Sequence, residues 1–182
     1  MGILDQPLYD WQAKFCSWCE DTTRRAKLSL VAPNGSGKSA VIVAGLVLWW
    51  LAAHKRGRVV ITTKDSRQLD NQIKPAIRRH EGRLHGWKFL QRRIETPTGG
   101  FAVLFTTDEE GRAEGWHHGF LESGRPDPEA PLLIIVDEAK SVGDRIFEAI
   151  DRCTYNVLLY VSSPGIRAGR FYQSQASDIG FQ

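Results

Sequence analysis

The chain has 182 residues, 42% of them apolar and 25% charged, with 17 glycines and 8 prolines, which excludes a coiled coil, a collagen-like repeat and a wholly disordered chain. At 20.5 kDa it fits one domain able to bury about two-thirds of its unfolded surface. The net charge of +3 is unevenly spread: from Lys74 to Arg93 there are seven lysines and arginines against Glu81 alone, so the remainder of the chain is mildly acidic.

Residues 8–20 place apolar side chains at helical spacing behind Pro7 and predict an amphipathic helix. Residues 27–31 alternate and then turn apolar before Pro33, which predicts a strand. Residues 40–53 contain no polar side chain; the run is shorter than the roughly 20 residues of a membrane span and reads as a buried helix starting near Gly37. A compact strand is expected over 58–62, then a polar helix over 66–79 with Pro75 as a point of bending or breaking. Residues 87–95 and 100–106 read as strands joined by a turn, and 107–131 as a long polar loop of the kind that carries function. Residues 132–136 form an unbroken apolar run, the mark of a parallel strand covered on both faces. A helix over 144–153 and a second such strand over 157–161 complete an α/β domain built on a mainly parallel sheet flanked by helices. The phosphate-loop strand is expected at the centre, flanked by the strands ending at Asp137 and Ser162.

Two motifs carry chemistry. APNGSGKS, residues 32–39, matches the phosphate-binding pattern GxxxxGK[ST] except that Ala32 replaces the first glycine. Gly35 and Gly37 allow backbone N–H groups to turn inward around a phosphate, with Pro33, Asn34 and Ser36 completing the loop. Lys38 then reaches the β- and γ-phosphates, and the Ser39 hydroxyl ligates Mg²⁺. LLIIVDE, residues 132–138, ends an apolar strand in two carboxylates: Asp137 for the Mg²⁺ shell and Glu138 as general base toward the attacking water. Together the two motifs predict a P-loop NTPase of the ASCE type, with ATP and Mg²⁺ as the expected ligands.

The order of further motifs resembles a family. YDWQ (9–12), APNGSGKS, GRAEGWHHG (111–119), LLIIVDEAKSV (132–142), SSPG (162–165) and GRFY (169–172) are similar to the ATPase domain of the large terminase subunit, the DNA-packaging motor of tailed bacteriophages. The resemblance implies that Gln12 contacts adenine with Tyr9 or Trp11 beside the base. It implies that Ser162 and Ser163 form the coupling motif that senses the γ-phosphate. It makes Arg112 the arginine finger reaching a neighbouring subunit's ATP, with Arg24 and Arg25 as rivals. It further implies translocation of double-stranded DNA by a ring, pentameric on the portal, working with a small terminase subunit in the cytoplasm of the infected host and absent from the mature virion. No membrane role is expected, and residues 1–10 lack the basic start and apolar run of a signal peptide. Full-length family members continue into a nuclease; nothing here after Tyr172 supplies its clustered acidic ligands, so residues 1–182 read as a single ATPase domain without nuclease activity. The readings kept beside this one are a helicase-like DNA-dependent ATPase, which shares AxxGxGKS and DExx, and a non-catalytic nucleotide-binding module.

Lys64, Arg67, Arg78, Arg79, Arg83, Arg92 and Arg93 form the candidate DNA surface, for contacts to phosphate that ignore base sequence. A solvated helix face would have the same charge. Cys16 and Cys19 form a lone CxxC without a partner pair and read as helix-face packing rather than zinc ligands. Three cysteines in all argue for a reducing compartment. His117 and His118 read as exposed loop residues or DNA contacts, and Trp49 and Trp50 as core.

Overall fold

Two six-residue runs, Leu132–Asp137 (β6) and Val157–Ser162 (β7), are buried along their whole length, as adjacent parallel strands covered on both faces must be. The computed structural model describes residues 8–18, 25–107, 113–165 and 167–176. Around β6 and β7 it assembles β1 (Ala26–Val31), β2 (Arg58–Thr63), β3 (Lys88–Phe89), β4 (Arg93–Glu95) and β5 (Phe101–Thr106) into one sheet. The strand order is β1-β7-β6-β2-β5-β4-β3. The first five in that order are parallel, and β4 and β3 add an antiparallel wing.

Alternate residues of the strands feed two cores. Val59, Ile61, Leu133, Ile135, Leu159 and Val161 pack with Ile42, Leu46 and Trp50 and with Phe15 and Cys16 of α1 (Asp10–Trp18). Val60, Ile134, Val136, Leu158 and Tyr160 face the other way, onto Ile146, Phe147 and Ile150 of α5 (Asp144–Asp151). Leu46 and Trp50 belong to α2 (Ala44–Ala53), which continues a π-helical stretch, Lys38–Val43, that begins at the end of the phosphate loop. The apolar run of 40–53 is therefore a buried helix; no helix among the described residues is long and apolar enough to cross a membrane.

Three expectations are corrected. Among the described residues β1 is an edge strand paired with β7 alone, and β7 separates it from β6, so it is not flanked by the strands ending at Asp137 and Ser162. The reason is visible in β1 itself: Lys27 and Ser29 alternate with Leu28 and Leu30, and only the latter two are buried, whereas β6 and β7 present apolar side chains on both faces. Residues 87–95 are not one strand: the Leu90 N–H bonds the Arg93 carbonyl at 2.8 Å, folding β3 back on β4. The helix over 66–79 is composite: α3 (Ser66–Gln68), a π-helical stretch Leu69–Ile73 and α4 (Lys74–Arg78). Pro75 lies in the first turn of α4, directly after the widened turn, so the change of helix type falls where the chain lacks an N–H. A last helix, α6 (Gly169–Gln173), follows the exit from β7.

Candidate nucleotide site

Parallel register brings the chemistry to one edge. Val31 lies opposite Ser162, Val161 opposite Asp137, and Asp137 opposite Thr63, so the loops leaving β1, β7, β6 and β2 emerge side by side. Ala32 extends the ladder, its N–H bonding the Ser162 carbonyl at 3.1 Å. It is buried and does not adopt the left-handed backbone, so the alanine in place of the first glycine costs the loop no conformation. Gly35 and Gly37 do adopt it, at φ 81° and 82°, the turn that points successive N–H groups into a concave nest. Lys38 is buried and folded back on this loop, 3.4 Å from the Pro33 carbonyl and 3.3 Å from Asn34 Oδ1.

Ser39 Oγ donates to Asp137 Oδ2 at 3.2 Å, linking the two motifs across 98 residues of sequence. Asp137 is fully buried. Burial pushes its carboxyl up to about 6; the neighbouring Glu138 charge adds to this, and bonds from the Glu138 N–H, Gln68 and Ser39 oppose it. Its Oδ1 is buried without a hydrogen-bond partner. A carboxylate oxygen left bare beside a hydroxyl is a donor set suited to a hard divalent cation.

Glu138 stands where the chain leaves β6. Its φ of 51° makes it the one non-glycine residue with left-handed backbone among those described. Such a conformation costs on the order of 1–3 kcal/mol and persists where surrounding structure holds it. Here Ser162 Oγ donates to its Oε2 at 3.3 Å and Gln68 Nε2 to its Oε1 at 3.3 Å. Gln68 also donates to Asp137 Oδ2 at 3.1 Å. Sequence reasoning missed Gln68, because it belongs to no motif; only the pairing of β2 with β6 brings the start of α3 to the carboxylates. It missed Lys140 as well, which stands inside the DEAK string and bonds Ser163 Oγ at 2.5 Å.

Gln12 is buried against the loop, accepting from the Tyr9 N–H at 3.0 Å and donating to the Ser36 carbonyl at 3.3 Å. Tyr9 is 70% exposed and Trp11 38% exposed beside it. Arg112 and Arg24 lie outside the described residues, as does Cys19; Cys16 is buried in the core. Arg25 precedes β1 and lies 4.1 Å over the Tyr155 ring, a strand's length from the phosphate loop of its own chain.

The basic residues divide into two groups. Lys64 and Arg67 are exposed where β2 leaves the sheet, at the edge that carries the site. Arg78 lies about 17 Å farther along the composite helix by its rise per residue. Its guanidinium donates to the Phe89 carbonyl at 3.3 Å. Arg79 and Arg83 are exposed, whereas Arg92 and Arg93 are half-buried; Arg93 pairs with Glu95 at 2.7 Å and covers the Phe101 ring. His117 bonds Thr154 Oγ1 at 2.8 Å and His118 the Gly119 carbonyl at 3.0 Å, just before a loop closed by the bond from the Gly119 N–H to the Ala130 carbonyl.

No family model matches the chain, and no curated protein matches it. Solved structures do. The large terminase of a thermophilic bacteriophage aligns with a TM-score of 0.70 at 13% identity, over 97% of this chain and 45% of that one. The same terminase in complex with ATP-γ-S gives 0.68 at 16% identity, over 96% and 43%. The large terminase ATPase domain of Thermus phage P74-26 gives 0.57 at 15% identity, over 95% and 71%. The chain thus has a P-loop NTPase fold, and specifically the fold of large-terminase ATPase domains. It spans less than half the length of the first of these terminases.

Proposed function

We propose that this chain binds and hydrolyses Mg·ATP and uses the energy to move double-stranded DNA into a viral capsid, as the ATPase part of a terminase-like motor. The observation that carries the reading is the convergence of Ser39 on Asp137 and of Ser162 on Glu138 at the carboxyl ends of three adjacent strands. The shared fold of the thermophilic-phage terminase, solved with ADP and with ATP-γ-S, supports a nucleotide at this place.

On this reading the nest at Gly35–Gly37 and the helix end behind it accept the phosphates, and Lys38 exchanges its two long bonds within the loop for phosphate oxygens. Ser39 and Asp137 would hold Mg²⁺, which would supply neutralisation of phosphate charge. Glu138 accepts the proton of the attacking water, with Ser162 orienting its second oxygen. Gln12 fixes the loop and, with Tyr9 or Trp11, borders the base. Arg112 stabilises the transition-state charge at a neighbouring subunit's site, a contribution of about 10³–10⁵ in rate. Lys64, Arg67, Arg78, Arg79, Arg83, Arg92 and Arg93 grip the DNA backbone without reading sequence. The working assembly is a ring, pentameric on the portal, with a small terminase subunit choosing the genome, in the cytoplasm of the infected cell.

ATP turnover of the purified chain, followed against its own concentration with and without linear duplex DNA, tests this. Turnover per subunit should rise with concentration and with duplex, and Arg112→Ala should flatten the first dependence. Turnover indifferent to duplex but raised by single strands would favour the helicase-like reading. Bound ATP with no turnover under any condition would leave a binding module.

A further inference from the structure

Lys140 stands two residues beyond Glu138, in the single 3₁₀ turn Ala139–Ser141. The residue is exposed, yet its ammonium is committed: it donates to Ser163 Oγ at 2.5 Å and to the Pro164 carbonyl at 3.3 Å. Its stem lies across Gly165, where a Cβ would come within 2.9 Å of Lys140 Cδ and 3.4 Å of Lys140 Cβ. Gly165 is not among the glycines with left-handed backbone, so its missing side chain provides space for the lysine rather than a special conformation.

We propose that Lys140 is a positioning residue that fastens the exit of β7 to the turn after the acidic pair and so holds Ser162 at Glu138. The proposal rests on the ATPase reading above. The pairing of β7 with β1 ends at Ser162, so Ser163, Pro164 and Gly165 depend on side chains for their placement. Two ties join this exit to the acidic turn. One is the 3.3 Å bond from Ser162 to Glu138, which involves the reacting carboxylate and must rearrange when that carboxylate engages water. The other is the short, charge-assisted bond from Lys140 to Ser163, which involves neither carboxylate of the acidic pair and can persist through turnover. Lys140 therefore keeps the hydroxyl-bearing strand end in register with the general base while the first tie changes.

The test uses the whole chain as Lys140→Met, Lys140→Arg, Gly165→Ala and the Lys140→Met/Gly165→Ala double variant, with kcat and KM for ATP, equilibrium binding of a fluorescent ATP analogue, and thermal melting. Lys140→Met should lower kcat about tenfold while KM and nucleotide affinity stay within about twofold. Lys140→Arg should recover most of the loss. Gly165→Ala, which displaces the lysine stem without straining the backbone, should reproduce the fall, and the double variant should be no worse than either single one. Wild-type kcat in Lys140→Met, multiplying effects in the double variant, or a fall matched by lost nucleotide affinity would each overturn the proposal. Should Lys140→Met melt early, Gly165→Ala alone decides by the same criteria. A wild-type chain that binds no nucleotide analogue refutes the ATPase reading itself, a failure seen before any variant is compared.

Discussion

The parallel half of the sheet and its antiparallel wing solve different problems. In β6 and β7 every residue is buried, each strand is paired on both sides, and helices cover both faces. The loops that leave such strands start from fixed points, which is what a site needing ångström placement of Ser39, Asp137, Glu138 and Ser162 requires. The wing consists of strands of two and three residues, with Ile94 as its one deeply buried strand residue and charged side chains on both strands. It can carry charge across a surface but fixes little. On the proposed function, catalysis falls where burial makes the backbone rigid, and part of the DNA-binding charge, Arg92 and Arg93, where the backbone is lightly held.

Chemistry in the parallel half offers the sharpest way to break this comparison. Glu138→Gln should lower kcat by about 10²–10⁴ while a fluorescent ATP analogue still binds. Equal loss of binding would show that the carboxylate holds the loop rather than serving as base. Stability should divide along the same line. Phe147, fully buried on α5, should cost about 3–5 kcal/mol on truncation to alanine. Phe89, half-buried in the wing, should cost on the order of 1 kcal/mol, both read from urea midpoints.

A smaller effect follows from Asp137. Its carboxyl, at about 6, stands above the ordinary carboxylate value near 3.9, so its contribution to stability is complete below about pH 4 and is lost as pH rises through 6. In nucleotide- and Mg²⁺-free buffer, Asp137→Asn should therefore be more stable than wild type at pH 7.5, by on the order of 2–3 kcal/mol, and should converge with it near pH 4. Urea titrations at the two pH values check the sign. The least effect belongs to the exposed arginines between α4 and the wing: Arg79→Ala and Arg83→Ala should each lower the slope of log affinity for duplex DNA against log salt by about 1 and leave DNA-free turnover unchanged. A change in DNA-free turnover would mean that this segment reaches the site.

What was legible follows the same division. The strand 132–136 could be read because an unbroken apolar run has few other uses, and the helix of 40–53 because its length excluded a membrane span. The turn at Gly35 and Gly37 and the carboxylate pair at the end of β6 could be read because glycines and acids punctuate apolar runs. Residues 87–95 were read as one strand because the turn closed by Leu90 and Arg93 contains neither glycine nor proline. Position in the sheet was misjudged at β1, although the polar alternation of Lys27 and Ser29 pointed to an edge.

By itself the sequence determined the local matters: which segments could be buried, where glycines let the chain turn, and which carboxylates end an apolar strand. Only the tertiary structure decided which strand lies between the loop and the acids, that Gln68 bridges Asp137 and Glu138, and that Lys140 is tied across to Ser163. Those contacts join segments 23–70 residues apart. Strand order and register place them, and these are settled by packing two faces of one sheet at once, a condition that no local pattern expresses.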